Sequence, residues 1–166
     1  MKEINTIFLD VDGTLTDGKV YLDNQKNELK AFDVKDGLII VAAIELGYEV
    51  IIMTGRKSEV VARRAAELGI KEYYQGVRYK KKALEKLMQK KGITYQNLAY
   101  LGDDLNDLAV MKKARFAACP ANAAQEIRKI SDFVSEFKGG AGAIREILTH
   151  LLRAKGDYHK VLELFA

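Results

Sequence analysis

The chain has no tryptophan, one proline and one cysteine among its 166 residues. A lone cysteine excludes an intrachain disulfide, and Cys119, between Phe116 and Pro120, reads as a small core residue. No apolar run approaches the length of a membrane span, the richest being 37–43, and no apolar leader heads the chain. A cytoplasmic protein with no membrane association is therefore expected. Excess charge of one sign is also lacking. Lys and Arg number 27 against 23 Asp and Glu, a net +4 that tolerates an anionic ligand but falls short of a nucleic-acid footprint. The basic residues are scattered through amphipathic patterns at 80–82, 90–91 and 112–113, where solvated helix faces account for most of them. Repeats, low-complexity tracts and linkers are absent. With 48% hydrophobic residues, one domain spanning 1–166 is expected.

What is present begins with Asp10-Val11-Asp12-Gly13-Thr14 at the end of an apolar run. In extended backbone, side chains at i and i+2 leave on the same side, so two carboxylates would meet at one ligand despite their repulsion. A divalent cation joins such a pair most simply. Hard oxygen donors suit Mg²⁺, which takes one or two carboxylates and leaves other positions to water and phosphate. Taken alone, the pair also fits an Asx turn that closes a strand.

Short apolar runs alternate with helical patterns along the chain. Strands are predicted at 4–10, 49–54, 98–102, 116–118 and 132–134, and helices at 58–68, 80–91 and 105–114. Ser58 reads as an N-cap, and Gly69 and Gly92 read as helix stops. The pattern predicts an α/β fold, a three-layer Rossmann-like parallel sheet with helices on both faces. One segment breaks the alternation: 19–22 and 28–34 read as a β-hairpin about the polar turn 23–27, inserted after the first strand. Its open edges call for cover, which a second subunit could supply. The tail, 156–166, reads as either disordered or docked, and His150 and His159 as structural or solvent-exposed.

Four pieces fall at strand ends, where open α/β sheets bind ligands: Asp10 to Thr14, Thr54-Gly55-Arg56, a lysine within 80–82, and Gly102-Asp103-Asp104-Leu105-Asn106-Asp107. In this order they resemble the haloacid dehalogenase superfamily of phosphotransferases. The resemblance covers nearly the whole chain. It implies that Asp10 is the nucleophile forming an aspartyl-phosphate, and that Asp12 is the acid for the departing hydroxyl and then the base for water. Thr54 would bind the phosphoryl group, and Lys80, chosen from the spacing of Gln75 to Lys80, would supply fixed positive charge. Asp10, Asp103 and the backbone of Asp12 would hold Mg²⁺, with Asp104 and Asp107 orienting water or capping the next helix.

The stretches at 10–18, 20–22, 28–32, 35–37, 54–57, 68–70, 74–76, 102–105 and 139–146 are similar to the capless phosphatases of 3-deoxy-D-manno-octulosonate 8-phosphate, an acid sugar phosphate of lipopolysaccharide synthesis. That similarity implies no separate cap domain and a homotetramer joined through its hairpins. It implies substrate contacts at Asp12, Asp33, Val34, Lys35, Asp36, Gly37, Gly55, Arg56, Arg64 and Lys80; arginine suits a sugar carboxylate because its planar fork binds both oxygens. Val41 departs from the pattern, standing where such relatives often carry Lys or Arg. A nine-carbon acid sugar phosphate is therefore an alternative substrate, and a non-catalytic module of the same fold is the reading of a different class.

Overall fold

A computed structural model describes residues 1–25 and 27–166, so Lys26, in the expected hairpin turn, lies outside the described residues. No helix among them is long and apolar enough to cross a membrane. In chain order the elements are β1 (Thr6–Leu9), β2 (Tyr21–Leu22), β3 (Glu28–Leu29), α1 (Val34–Glu45), β4 (Glu49–Met53), α2 (Glu59–Glu67), β5 (Glu72–Tyr74), α3 (Lys80–Lys91), β6 (Leu98–Leu101), α4 (Leu108–Met111), β7 (Phe116–Cys119), α5 (Gln125–Ile130), β8 (Phe133–Val134), α6 (Ala143–Lys155) and α7 (Tyr158–Glu163).

Six strands form one sheet in the order β5-β4-β1-β6-β7-β8, and each neighbouring pair runs parallel. Both faces are covered, so the strands are apolar on both sides. Ile7, Leu9, Val50 and Ile52 pack with α1, α2, α6 and α7. Phe8, Ile51, Met53 and Tyr100 alternate to the opposite face and pack with α3, α4 and α5. This is the three-layer Rossmann-like arrangement. From β1 the chain builds outward on one side through β4 and β5, then crosses back to β6, β7 and β8. The C-terminal ends of β1, β4 and β6 therefore flank the crevice where the strand order reverses.

Three expectations need correction. The second hairpin strand does not run to position 34, because Asp33 is the N-cap of α1 and accepts N–H bonds from Lys35 at 2.7 Å and Asp36 at 3.1 Å. Among the described residues the hairpin pairs Tyr21 with Leu29 and Leu22 with Glu28. Ser58 stands at the N-cap of α2 without a side-chain cap bond, and its backbone N–H goes instead to the Gln75 side chain at 2.5 Å. The fourth helix covers 108–111 in place of 105–114, since 102–107 forms a turn around the buried Asp107. The tail carries α7, docked through Val161.

Candidate active site

Asp10 directly follows β1, and its backbone N–H extends the sheet by donating to the Leu101 carbonyl at 2.9 Å. The chain then turns sharply through Gly13, whose φ of +97° favours glycine and where any Cβ would overlap the Asp103 carboxylate. That missing side chain lets the loop after β6 approach the loop after β1. Thr14 Oγ1 closes the contact by donating to Asp103 Oδ1 at 3.0 Å.

Lys80, the first residue of α3, points its ammonium into this junction. It lies 2.7 Å from Asp10 Oδ1 and 2.6 Å from Asp107 Oδ1, and is 1% exposed, whereas Lys81 and Lys82 face outward. Burial disfavours the ammonium, but Asp10 and Asp107 outweigh it and raise the Lys80 pKa, so the charge is permanent. Asp107 is fully buried and also accepts from the Tyr100 hydroxyl at 2.7 Å and the Asp103 N–H at 3.2 Å. It is the anchor of Lys80, a role its expected water-orienting or helix-capping function does not include.

Burial, then the nearby Asp107 charge, pushes Asp10 up to about 7 against the pull of Lys80. Burial likewise raises Asp103 to about 6, with Thr14 opposing and Asp107 and Asp104 adding to the rise. Asp10, Asp103 and Asp107 each bring one ligand oxygen within 4.8 Å of the others. Asp107 is engaged by Lys80 and Tyr100, which leaves Asp10 and Asp103 as the pair open to a metal ion. Two hard, crowded carboxylates at the cleft, whose burial and mutual repulsion a divalent cation would relieve, fit Mg²⁺.

The cleft, of about 300 Å³, is lined by Asp10, Asp12, Thr54, Gly55, Arg56 and Asp103, with Gly18, Asp104 and Asn106 at its edges. Thr54 is buried at the end of β4. Six expected residues lie elsewhere in the same chain. Asp33 and Lys35 border a separate depression of about 530 Å³ against α6. Val34 is 81% exposed. Asp36 is buried and accepts the Arg145 N–H at 2.7 Å at the start of α6, and burial raises it to about 6. Gly37 gives room to Arg64, which lies 5.7 Å over the Phe32 ring and reaches the Asp33 carbonyl at 3.4 Å.

Three contributors escaped sequence reasoning. Lys30, at the exit of the hairpin, ion-pairs with Asp12, and Glu28 lies 3.5 Å from both Lys30 and Arg56. Gly139 presses on the loop after β1 so closely that a Cβ there would overlap the Gly13 carbonyl. The sequence signals were present in 28–32 and 139–146, but nothing in them specified these partners.

A parallel sheet carrying paired aspartates, a buried lysine and a hydroxyl at the crevice defines a haloacid dehalogenase-like hydrolase, and the profile of that family matches residues 74–147. The 3-deoxy-D-manno-octulosonate 8-phosphate phosphatase KdsC of Escherichia coli K12 is 43% identical over 155 residues, 93% of this chain and 82% of that protein. A crystal structure of the Moraxella catarrhalis phosphatase in complex with magnesium ion, phosphate ion and KDO superposes with a TM-score of 0.96 at 39% identity, over 99% of this chain and 95% of that one. The cobalt-bound phosphatase of Haemophilus influenzae gives 0.88 at 35% identity, over 93% and 91%. The chain belongs to the 3-deoxy-D-manno-octulosonate 8-phosphate phosphatase family. It is a phosphomonoesterase.

Proposed function

We propose that this enzyme hydrolyses 3-deoxy-D-manno-octulosonate 8-phosphate to the free sugar acid and phosphate, in the cytoplasm, as a step of lipopolysaccharide biosynthesis. The observation that carries this reading is the 43% identity to a phosphatase of that name across 93% of the chain, with Asp10, Asp12, Thr54, Lys80 and Asp103 gathered at one site. Asp10 attacks phosphorus and forms an aspartyl-phosphate as the bond to the sugar oxygen breaks. That oxygen takes a proton from Asp12. Asp12 then removes a proton from water, which attacks phosphorus and frees Asp10. Lys80 and Thr54 stabilise the charge on the transferring group. Asp10 and Asp103, with the Asp12 backbone carbonyl, would hold Mg²⁺, whose positive charge would let a phosphate approach carboxylates.

Phosphate release from a panel of sugar phosphates tests the substrate. The eight-carbon acid sugar phosphate should have the highest kcat/KM. A tenfold preference for the nine-carbon homologue would reassign it, an outcome to which Val41, uncharged and packed on the core, lends a specific reason. Arg56 is half-exposed in the cleft, within reach of a sugar carboxylate. Arg56→Ala should raise KM for the acid sugar phosphate about tenfold, the worth of one charged hydrogen bond, and less for an uncharged aryl ester. Equal losses on both would make Arg56 a phosphate ligand.

Asp33, Val34, Lys35 and Arg64 lie outside the cleft of their own chain and keep exposed surface, which suits contacts to the substrate of a neighbouring copy, whereas Asp36 and Gly37 are buried within the chain. Exposed apolar residues gather on the hairpin (Tyr21, Leu22, Leu29) and at Val34, and on the tail (Leu162, Leu164, Phe165). A homotetramer joined through these surfaces would cover them. Sedimentation should give four copies, and Leu22→Lys with Leu29→Lys should dissociate them and raise KM for the sugar phosphate. A fully active monomer would refute the arrangement.

A further inference from the structure

The hairpin is too small to stand alone: two rungs of pairing, with a turn tied by Asp23, which accepts N–H bonds from Gln25 and Asn27 at 2.8 Å each. Yet it buries a charge. The Lys30 side chain has 0% exposure, and its partners are Asp12 and, at 3.5 Å, Glu28. Glu28 and Lys30 are two positions apart, so the same face of the strand turns both toward the cleft, while Leu29 between them is 67% exposed. Hiding an ammonium costs several kcal/mol unless paired charges offset it, and the charges that face Lys30 are the carboxylates of Asp12 and Glu28. Its burial therefore serves the carboxylate it holds. Asp12 does not belong to the group formed by Asp10, Asp103 and Asp107; Lys30 engages its Oδ1, while Arg56 Nε stands 3.9 Å from Oδ2. Glu28 Oε1 lies 3.5 Å from each cation.

We infer that Lys30 is a positioning residue for Asp12: it fixes that carboxyl away from the metal-binding pair and toward the departing oxygen, making the hairpin part of its own subunit's proton-transfer apparatus. The inference rests on the proposed reaction, in which the phosphorus–oxygen bond breaks with its electron pair going to the ester oxygen and the Asp12 proton following. A lysine that acts through Asp12 matters most where the leaving group needs a proton. It matters least where the leaving group departs as a stable anion.

The experiment compares p-nitrophenyl phosphate, phenyl phosphate and a primary alkyl phosphate as substrates of the full-length wild type, Lys30→Met, Lys30→Arg, Asp12→Asn and the Lys30→Met/Asp12→Asn pair. The parameter is kcat/KM, which reports steps through leaving-group departure. Lys30→Met should lower it about 100-fold on the alkyl ester, the low end for general acid catalysis, and less than about fivefold on p-nitrophenyl phosphate. Lys30→Arg should restore part of the loss. In the Asp12→Asn background Lys30→Met should add less than about a factor of two, since a positioning residue has nothing left to position. Equal losses across the three esters, or full additivity with Asp12→Asn, would overturn the inference, as would a change in KM alone. Lys30→Gln, which keeps the polar tip, serves the same comparison if Lys30→Met does not fold. Wild-type protein that releases phosphate neither from these esters nor from 3-deoxy-D-manno-octulosonate 8-phosphate, itself a primary alkyl ester to be run beside them, would overturn the proposed reaction, a result separable from any ratio between variants.

Discussion

Asp10→Asn is expected to lower phosphate release by at least about 10⁴-fold, the scale on which loss of a nucleophile is felt, while leaving the fold intact or slightly more stable. The amide cannot attack phosphorus to give a hydrolysable acyl phosphate. It is nevertheless nearly the same shape as the carboxylate it replaces, and Lys80 keeps Asp107 at 2.6 Å as its counter-ion. The native Asp10 is held in an unfavourable setting, 4% exposed and beside the Asp107 charge, so neutralising it relieves both burial and repulsion. Activity and stability should therefore move in opposite directions, as at other sites where function stores strain. Phosphate release with Mg²⁺ and a thermal melt in metal-free buffer measure the two. Turnover above 1% of wild type would remove Asp10 from the nucleophile's role, and a melting temperature lowered by 10 °C would make it a structural residue.

The legibility of this site followed from where its residues stand. Asp10, Thr54 and Asp103 sit directly after buried strands, and runs such as Val50-Ile51-Ile52-Met53 announce themselves locally. Lys80 could be separated from its neighbours by motif spacing, and its burial between Asp10 and Asp107 fits that choice. Other elements are set by tertiary contacts that no local pattern encodes. Helix α1 opens Val34-Lys35-Asp36-Gly37 and continues through Ile39-Ile40-Val41, so glycine and β-branched residues mask it. It forms because Asp33 caps its start and Ile39 and Ile40 bury against the sheet. Strand β5, Glu72–Tyr74, is a three-residue edge with partly exposed side chains and lacks the apolar run that marks a central strand. Lys30 illustrates the same limit at the site: in sequence it is one polar residue of a hairpin, and only the folding of that hairpin back onto the loop after β1 places it on Asp12.

Removing divalent metal should stop turnover, by at least about a hundredfold, and should also expose an unusual pH dependence of stability. Three carboxyl groups are raised from the ordinary 3.8, each chiefly by burial: Asp10 to about 7, Asp103 to about 6 and Asp36 to about 6. A raised acid binds its proton more tightly in the folded chain than in the unfolded one. Its contribution is therefore complete below pH 3.8 and is lost as pH rises through 6 to 7. The carboxylates that paired groups pull down, Asp17, Asp23, Glu28, Glu72, Glu85 and Asp157, change their contribution only in more acidic solution, so they do not offset the loss between pH 5 and 8. Metal-free protein should accordingly melt at a lower temperature at pH 8 than at pH 5, by on the order of 10 °C for a chain of this size. Mg²⁺ should reverse the trend, because it binds the ionised forms of Asp10 and Asp103 and must displace their protons at low pH. Its stabilising effect should be large at pH 8 and small at pH 5, with half-saturation moving to higher Mg²⁺ as the solution is acidified. Asp36 separates the two causes, since it lies in the first turn of α1, packed on the start of α6 and outside the cleft, and its share of the slope should survive saturating metal. Full turnover in excess chelator would dismiss the metal from the reaction, and a metal-free melting temperature that climbs from pH 5 to pH 8 would show that these carboxyls ionise at ordinary values.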